Sequence, residues 1–137
     1  MSPESAFIAC SALAGSGWAL LVLGPAAPRA RRIAGIAIPS VLAAVYVSVL
    51  GWHARELSGG FNSLDAVAQL FSHRWALLAG WIHFLAFDLF VGSWIAADAS
   101  TRGLARPPLV LVLLLTFLFG PAGLLAYLTT RKALATR

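Results

Sequence analysis

The chain has 137 residues, of which 60% are hydrophobic and only 11% charged, with a mean hydropathy of +0.84. Soluble domains carry about 25% charged residues, so this composition excludes a soluble enzyme and indicates an integral membrane protein of one domain, residues 1–137. Ten Lys and Arg against five Asp and Glu give a net charge of +5. Those basic residues lie in short gaps between apolar runs, a pattern that fits membrane lipid headgroups as partners and excludes nucleic acid.

The first apolar run, AFIACSALAGSGWALLVLG, covers about 6–24. The segment before it, MSPES, holds an acid and no Lys or Arg, unlike the basic start of a secretory signal, so the run is expected to be a retained span. Cys10 within it is the only cysteine, which excludes an intrachain disulfide. After the basic turn PAAPRARR comes the second run, about 33–52, interrupted by Pro39. The stretch from His53 to Arg74 is longer. There FNSLDAVAQLF sets Phe61, Leu64, Ala68 and Phe71 on one helical face, with Asn62 or Ser63 as a cap, and predicts a short interfacial helix. The third run covers about 75–97 and the fourth about 108–128, separated by DASTRGLARP.

Each run has the ~20 residues a helix needs to cross a ~30 Å hydrocarbon core, and lipid demands that the backbone be paired within the segment. The expected fold is therefore all-α: an integral membrane four-helix bundle with an interfacial helix between the second and third spans. Small residues such as Gly15, Gly17 and Gly35 allow close helix approach; association of copies stays open. With four crossings, both termini share one side, and five Lys and Arg fall on each side, a tie. The arginines directly after the first span favour that loop as the cytoplasmic one.

Three ionisable residues mark the third run, WIHFLAFDLFVGSWIAAD. Asp88 lies near its middle, where a charge costs ~3 kcal/mol on insertion scales and more in simulations, so it should face protein or water. It is expected to pair or to stay protonated. His83 stands about 140° from it around the helix, so the two can border one wedge between neighbouring helices. Asp98 closes the run at the interface. Pro39 and Pro121 each remove a backbone donor and are expected to kink their helices and open that wedge. The aromatics Trp81, Phe84, Phe87 and Trp94, with Tyr46 and Phe117 from neighbouring runs, would line a slot for a long apolar ligand such as a polyene or isoprenoid. His53 and Glu56 share an i,i+3 spacing that interfacial solvation explains. No nucleotide, serine-hydrolase or C-x-x-C motif is present.

The stretch AGWIHFLAFDLFVGSWIAAD followed by LLTFLFGPAGLLAYL resembles the small membrane protein family that includes plant neoxanthin synthase. The resemblance is carried by Trp81-Ile82-His83, Asp88-Leu89-Phe90, Asp98 and Gly120-Pro121, and covers roughly residues 30–131. It implies a four-span protein tied to carotenoid chemistry, in which an epoxide opens and an allene forms without net redox change. That isomerisation needs a proton donor at the epoxide oxygen and a base. His83 and Asp88 are suited to the pair, with Asp98 as a third candidate. A divalent metal held by His83, Asp88 and Asp98 would be an alternative Lewis acid. The Ala/Arg-rich composition indicates a bacterial inner membrane. Two functions follow: a carotenoid or isoprenoid isomerase, or a non-catalytic protein that binds such a molecule or assists enzymes that use it.

Overall fold

The computed structural model describes residues 2–135 and is helical, with no strand among them. Four helices are long and apolar enough to cross a membrane: Pro3–Leu23, Pro28–His53, Arg74–Thr101 and Arg106–Arg131. In chain order the elements are α1 (Pro3–Leu23), α2 (Pro28–Arg32), a π-turn (Ile33–Ala37), α3 (Ile38–His53), α4 (Leu64–Ser72), α5 (Arg74–Thr101) and α6 (Arg106–Ala135). The second span is α2, the π-turn and α3 in one run. The third is α5 and the fourth α6.

The third span is the centre of the bundle. Of its most apolar stretch 50% is buried, against 28–33% in the other three spans. It packs on α1, α3, α4 and α6, whereas the second and fourth spans lie on opposite sides of it and do not approach each other. Glycines set the close approaches. A Cβ on Gly92 would strike the Trp18 ring, and one on Gly17 the Leu89 side chain, which locks α1 to α5. Large apolar residues cover the outside, among them Ile8, Ile36, Val47, Leu77, Leu111 and Leu125, as a lipid-facing surface requires.

The expected interfacial helix is α4. Ser63 caps it, its hydroxyl accepting from the Ala66 amide at 3.1 Å. Phe71 packs on Gly80 of the third span, while Phe61 and Leu64 stay 84% exposed at the level where an interfacial helix meets lipid.

Both proline expectations need correction in form. Pro39 produces no sharp kink. The π-turn one turn earlier shifts the hydrogen-bond register, with the Ile38 amide donating to the Ile33 carbonyl, and the helix runs on. Gly35, within that turn, lets the span touch Ser93, whose hydroxyl donates to the Arg31 carbonyl at 2.9 Å.

Pro121 does more than kink. Phe119 (φ −141°, ψ 42°) and Gly120 (φ 5°, ψ −79°) leave the helical region, and the chain beyond them turns back. Gly123 lies directly against Thr116, seven residues earlier, which a continuous helix would hold about 10 Å away. Arg106 opens α6 by donating to the Leu23 carbonyl at the end of α1, at 2.7 Å. Tyr127 and Arg131 come back to Asp98 at that same end of the bundle. Glu4 pairs with Arg74 at the opposite end. The fourth run therefore enters, reverses at mid-depth and returns, as a re-entrant hairpin of two half-helices. Each half, at 13 to 15 residues, reaches only about 20 Å. This corrects the expectation that both termini share one side.

Candidate functional site

The polar residues of the third span point three ways, because helical geometry spreads them and a different neighbour fills each direction. Asp88 faces the fourth span. Its carboxyl lies on the backbone of Gly120, where an added Cβ would sit 2.6 Å from Oδ2 and 2.8 Å from Cγ. Oδ2 is buried without a hydrogen-bond partner. Pro121 is the first residue of the returning half-helix, so Asp88 sits at a helix N-terminus, where the macrodipole favours negative charge.

Asp98 lies about 15 Å further along the helix and is fully engaged. Its Oδ2 accepts from the Tyr127 hydroxyl at 2.6 Å and from Arg102 Nε at 2.8 Å, and pairs with Arg131 Nε at 3.2 Å. The carboxylate raises the pKa of Arg102 through that hydrogen bond. Trp94 meets the buried Tyr127 ring edge-on at 5.7 Å between centroids, and the Arg131 guanidinium lies 5.8 Å over Trp94. Charge-assisted hydrogen bonds of this kind are the stronger ones in proteins. Asp98 thus fastens the mouth of the hairpin that Asp88 contacts at its tip.

His83 turns the other way, toward the second span, and is exposed on the outer surface of the bundle. Its ring stacks on Phe87 at 4.4 Å between centroids and lies 5.9 Å from the Tyr46 ring. The shared wedge expected for His83 and Asp88 is therefore not formed. The spans that would wall it stand on opposite sides of the third. Nor do His83, Asp88 and Asp98 converge as ligands: along the helix the outer two are about 22 Å apart, and no group of three metal-ligating side chains occurs among the described residues.

The six aromatics likewise divide among separate surfaces. Trp81 donates to Ser11 at 3.0 Å and touches Phe7 and Phe84, on the side of the first span. Phe117 meets Trp18, and Trp94 belongs to the hairpin mouth. Tyr46 and Phe87 accompany His83. This last group adjoins a groove that has an imidazole and a phenol ring nearby. Between the second and third spans a cleft of about 380 Å³ is lined by Gly35, Pro39, Ser40, Ala43, Phe87 and Phe90. Ala43 lies one turn from Tyr46, and Phe87 one turn from His83, so the His83 and Tyr46 rings stand one turn beyond the residues that line the cleft. It opens sideways, toward lipid. A larger groove of about 520 Å³ between the first and third spans is lined by Phe7, Leu78 and Trp81 and ends at the Glu4–Arg74 pair.

Several residues that matter here carry no signal in the sequence. The small side chains of Ala43 and Ala86 leave the cleft empty, the π-turn forms its wall at Gly35 and Ile36, and Tyr127 and Arg131 bind Asp98. Alanine at cleft positions reads as generic packing in so alanine-rich a chain. Tyr127 and Arg131 reach Asp98 only because the chain reverses.

A family model described as ABA4-like, ABA DEFICIENT 4-like, matches residues 5–127. No curated protein and no solved structure matches the chain.

Proposed function

The chain belongs to the ABA DEFICIENT 4-like family, the family of neoxanthin synthase-like proteins, and from that membership and the cleft beside His83 we propose a carotenoid or isoprenoid isomerase working within a bacterial inner membrane. The observation that carries the reading is the His83 imidazole, exposed beside the Tyr46 ring one helical turn beyond an apolar, lipid-open cleft. A polyene dissolved in the bilayer would enter from the side. Its end group would rest on Phe87 and Phe90, with the rest of the chain remaining in lipid. Few polar groups line the cleft, so an oxygen on that end group would find its partners at Tyr46 and His83.

The chemistry is an internal proton exchange. One of the pair donates a proton to the oxygen of a strained end group, such as an epoxide, as its C–O bond breaks. The other takes a proton from a neighbouring carbon, and the electron pair released forms the new double bond. Atoms and electrons balance within the substrate, and no oxidant is needed. An imidazole ring has one nitrogen that can donate a proton and one that can accept it, so it suits either role. Asp88 and Asp98 act on the hairpin in this reading and touch no substrate.

The second reading, binding without chemistry, is favoured by one feature: Asp88, the acid expected to complement His83, stands on the far side of the helix. Supplying an epoxy-carotenoid to purified, lipid-reconstituted protein and resolving the products by chromatography separates the two. Conversion that is lost in His83→Gln and kept in Asp88→Asn is the expected result. Retention of the pigment without any conversion leaves the binding reading. Full conversion by His83→Gln removes the proposed role of the histidine.

A further inference from the structure

The hairpin redistributes charge between the two faces of the membrane. Because the fourth run returns to the side it entered from, Arg131 joins Arg29, Arg31, Arg32, Arg102 and Arg106 at one end of the bundle. The single acid there is Asp98. At the other end stand Arg55 and Arg74 with three acids, Glu4, Glu56 and Asp65. The tie read from four crossings becomes six cations against two among the described residues. Lys132 and Arg137, part of that reading, lie outside the described side chains.

The six do not share one role. Arg102 and Arg131 are held by Asp98. Arg31 and Arg106 donate to the Pro25 and Leu23 carbonyls at the end of the first span. Those four contacts fix guanidinium groups at the edge of the apolar surface. Arg29 and Arg32 are exposed on α2 and, among the described residues, have no acid within ion-pair distance. A ring of fixed and free guanidinium groups bordering lipid, with one acid already neutralised, is complementary to the phosphates of lipid headgroups.

We infer that this face lies in the cytoplasmic leaflet and binds anionic phospholipid headgroups. The excess of basic residues in short segments sets the orientation. The negative surface potential of the leaflet supplies the attraction, worth about 1 kcal/mol per Lys or Arg near the surface. A groove of about 430 Å³ at the turn from Gly24 to Ala27, bordered by Arg106 at the start of α6, lies on this face. This inference does not depend on the cleft or on any chemistry there.

Two measurements on the full chain test it. Single cysteines are introduced as Ala30→Cys, Asn62→Cys and Ala135→Cys, with Cys10→Ala, and intact bacterial cells are treated with a membrane-impermeant maleimide. Labelling of position 62 alone is expected, with 30 and 135 reacting only after permeabilisation. Labelling of 135 together with 62 overturns the shared face. In native mass spectrometry of the purified protein, phosphatidylglycerol should be retained at least threefold over phosphatidylcholine. The double variant Arg29→Gln/Arg32→Gln should lose that preference, and Arg55→Gln on the opposite face should keep it. Equal retention of the two lipids, or a preference untouched by the double variant, refutes the binding surface. Displacement of phosphatidylglycerol by inorganic phosphate alone would make the ligand a free anion and refute the lipid assignment.

Discussion

Asp88 and Asp98, ten residues apart on one helix, hold the two ends of the same hairpin. Asp88 lies against its tip at Gly120, and Asp98 binds its returning arm through Tyr127 and Arg131. Acids in a membrane span carry a high insertion cost. At one end the carboxyl lies at a helix N-terminus with Oδ2 unpaired, and at the other the cost is offset by two guanidinium groups and a phenol. The pair makes the last apolar run an appendage of the third span.

The tip contact predicts a rescue. Gly120→Ala places a methyl group into the Asp88 carboxyl and should cost about 1–3 kcal/mol, as overpacking does. Most of that loss should vanish in the Gly120→Ala/Asp88→Ala double variant. Thermal unfolding in detergent, followed by tryptophan fluorescence, measures both. An undiminished loss in the double variant would show that the methyl clashes elsewhere.

The mouth contact predicts a graded response. Tyr127→Phe removes one hydrogen bond from a buried ring and should cost about 1–2 kcal/mol. Asp98→Ala removes the common acceptor of three donors and should cost more. With Asp98 gone, Tyr127→Phe should add little, since both changes abolish the same bond. Additive losses in the double variant would argue that the two side chains act independently. Proteolysis should mirror the order, with trypsin cutting after Arg131 fastest in Asp98→Ala.

At the second span, Gly35→Val should disrupt packing, because any Cβ there overlaps the Ser93 side chain. Ser93→Gly should restore part of the lost stability, though it surrenders the hydroxyl bond to Arg31, worth about 1 kcal/mol. Thermal midpoints of the two single variants and the double decide the matter. Gly35→Val behaving like the parent would contradict the close approach.

Filling the cleft should separate binding from stability. Ala43→Phe puts a ring where an end group would lie, on a position open to lipid, so unfolding should change by less than about 0.5 kcal/mol. Retention of a carotenoid or isoprenoid ligand should fall at least tenfold. Trp81→Ala, on the opposite flank, should leave retention alone and cost stability through its lost contacts with Phe7 and Ser11. Equal pigment retention by parent and Ala43→Phe would move the ligand out of this cleft.

Much of the fold could be read from the sequence because hydrophobic length is a local property. Four runs near twenty residues, a serine before an amphipathic stretch, and prolines within helices are legible one segment at a time. The interfacial helix over Leu64–Ser72 follows from its own apolar stripe. The site was harder to read, and for a geometric reason. Spacing gives the angle between His83 and Asp88 but not which neighbour occupies each direction. Gly120-Pro121 is compatible with a bend or with a full reversal, and the contact of Gly123 with Thr116 and the return of Tyr127 to Asp98 distinguish them. Once the chain reverses, the partners of Asp98, the balance of arginines and the side to which α6 returns all change together.

The break at Phe119 and Gly120 also bears on how the protein is made. The backbone there leaves helical geometry, and lipid supplies no partner for a peptide group. The fourth run therefore has no stable place in the bilayer until the third span is present to cover its tip and hold its arm. The expected outcome is ordered assembly, in which three helices insert and pack first and the last segment folds onto them after synthesis has passed it. A chain ending near residue 105 should accumulate as an inserted three-helix core. The last segment expressed alone should be degraded or aggregate.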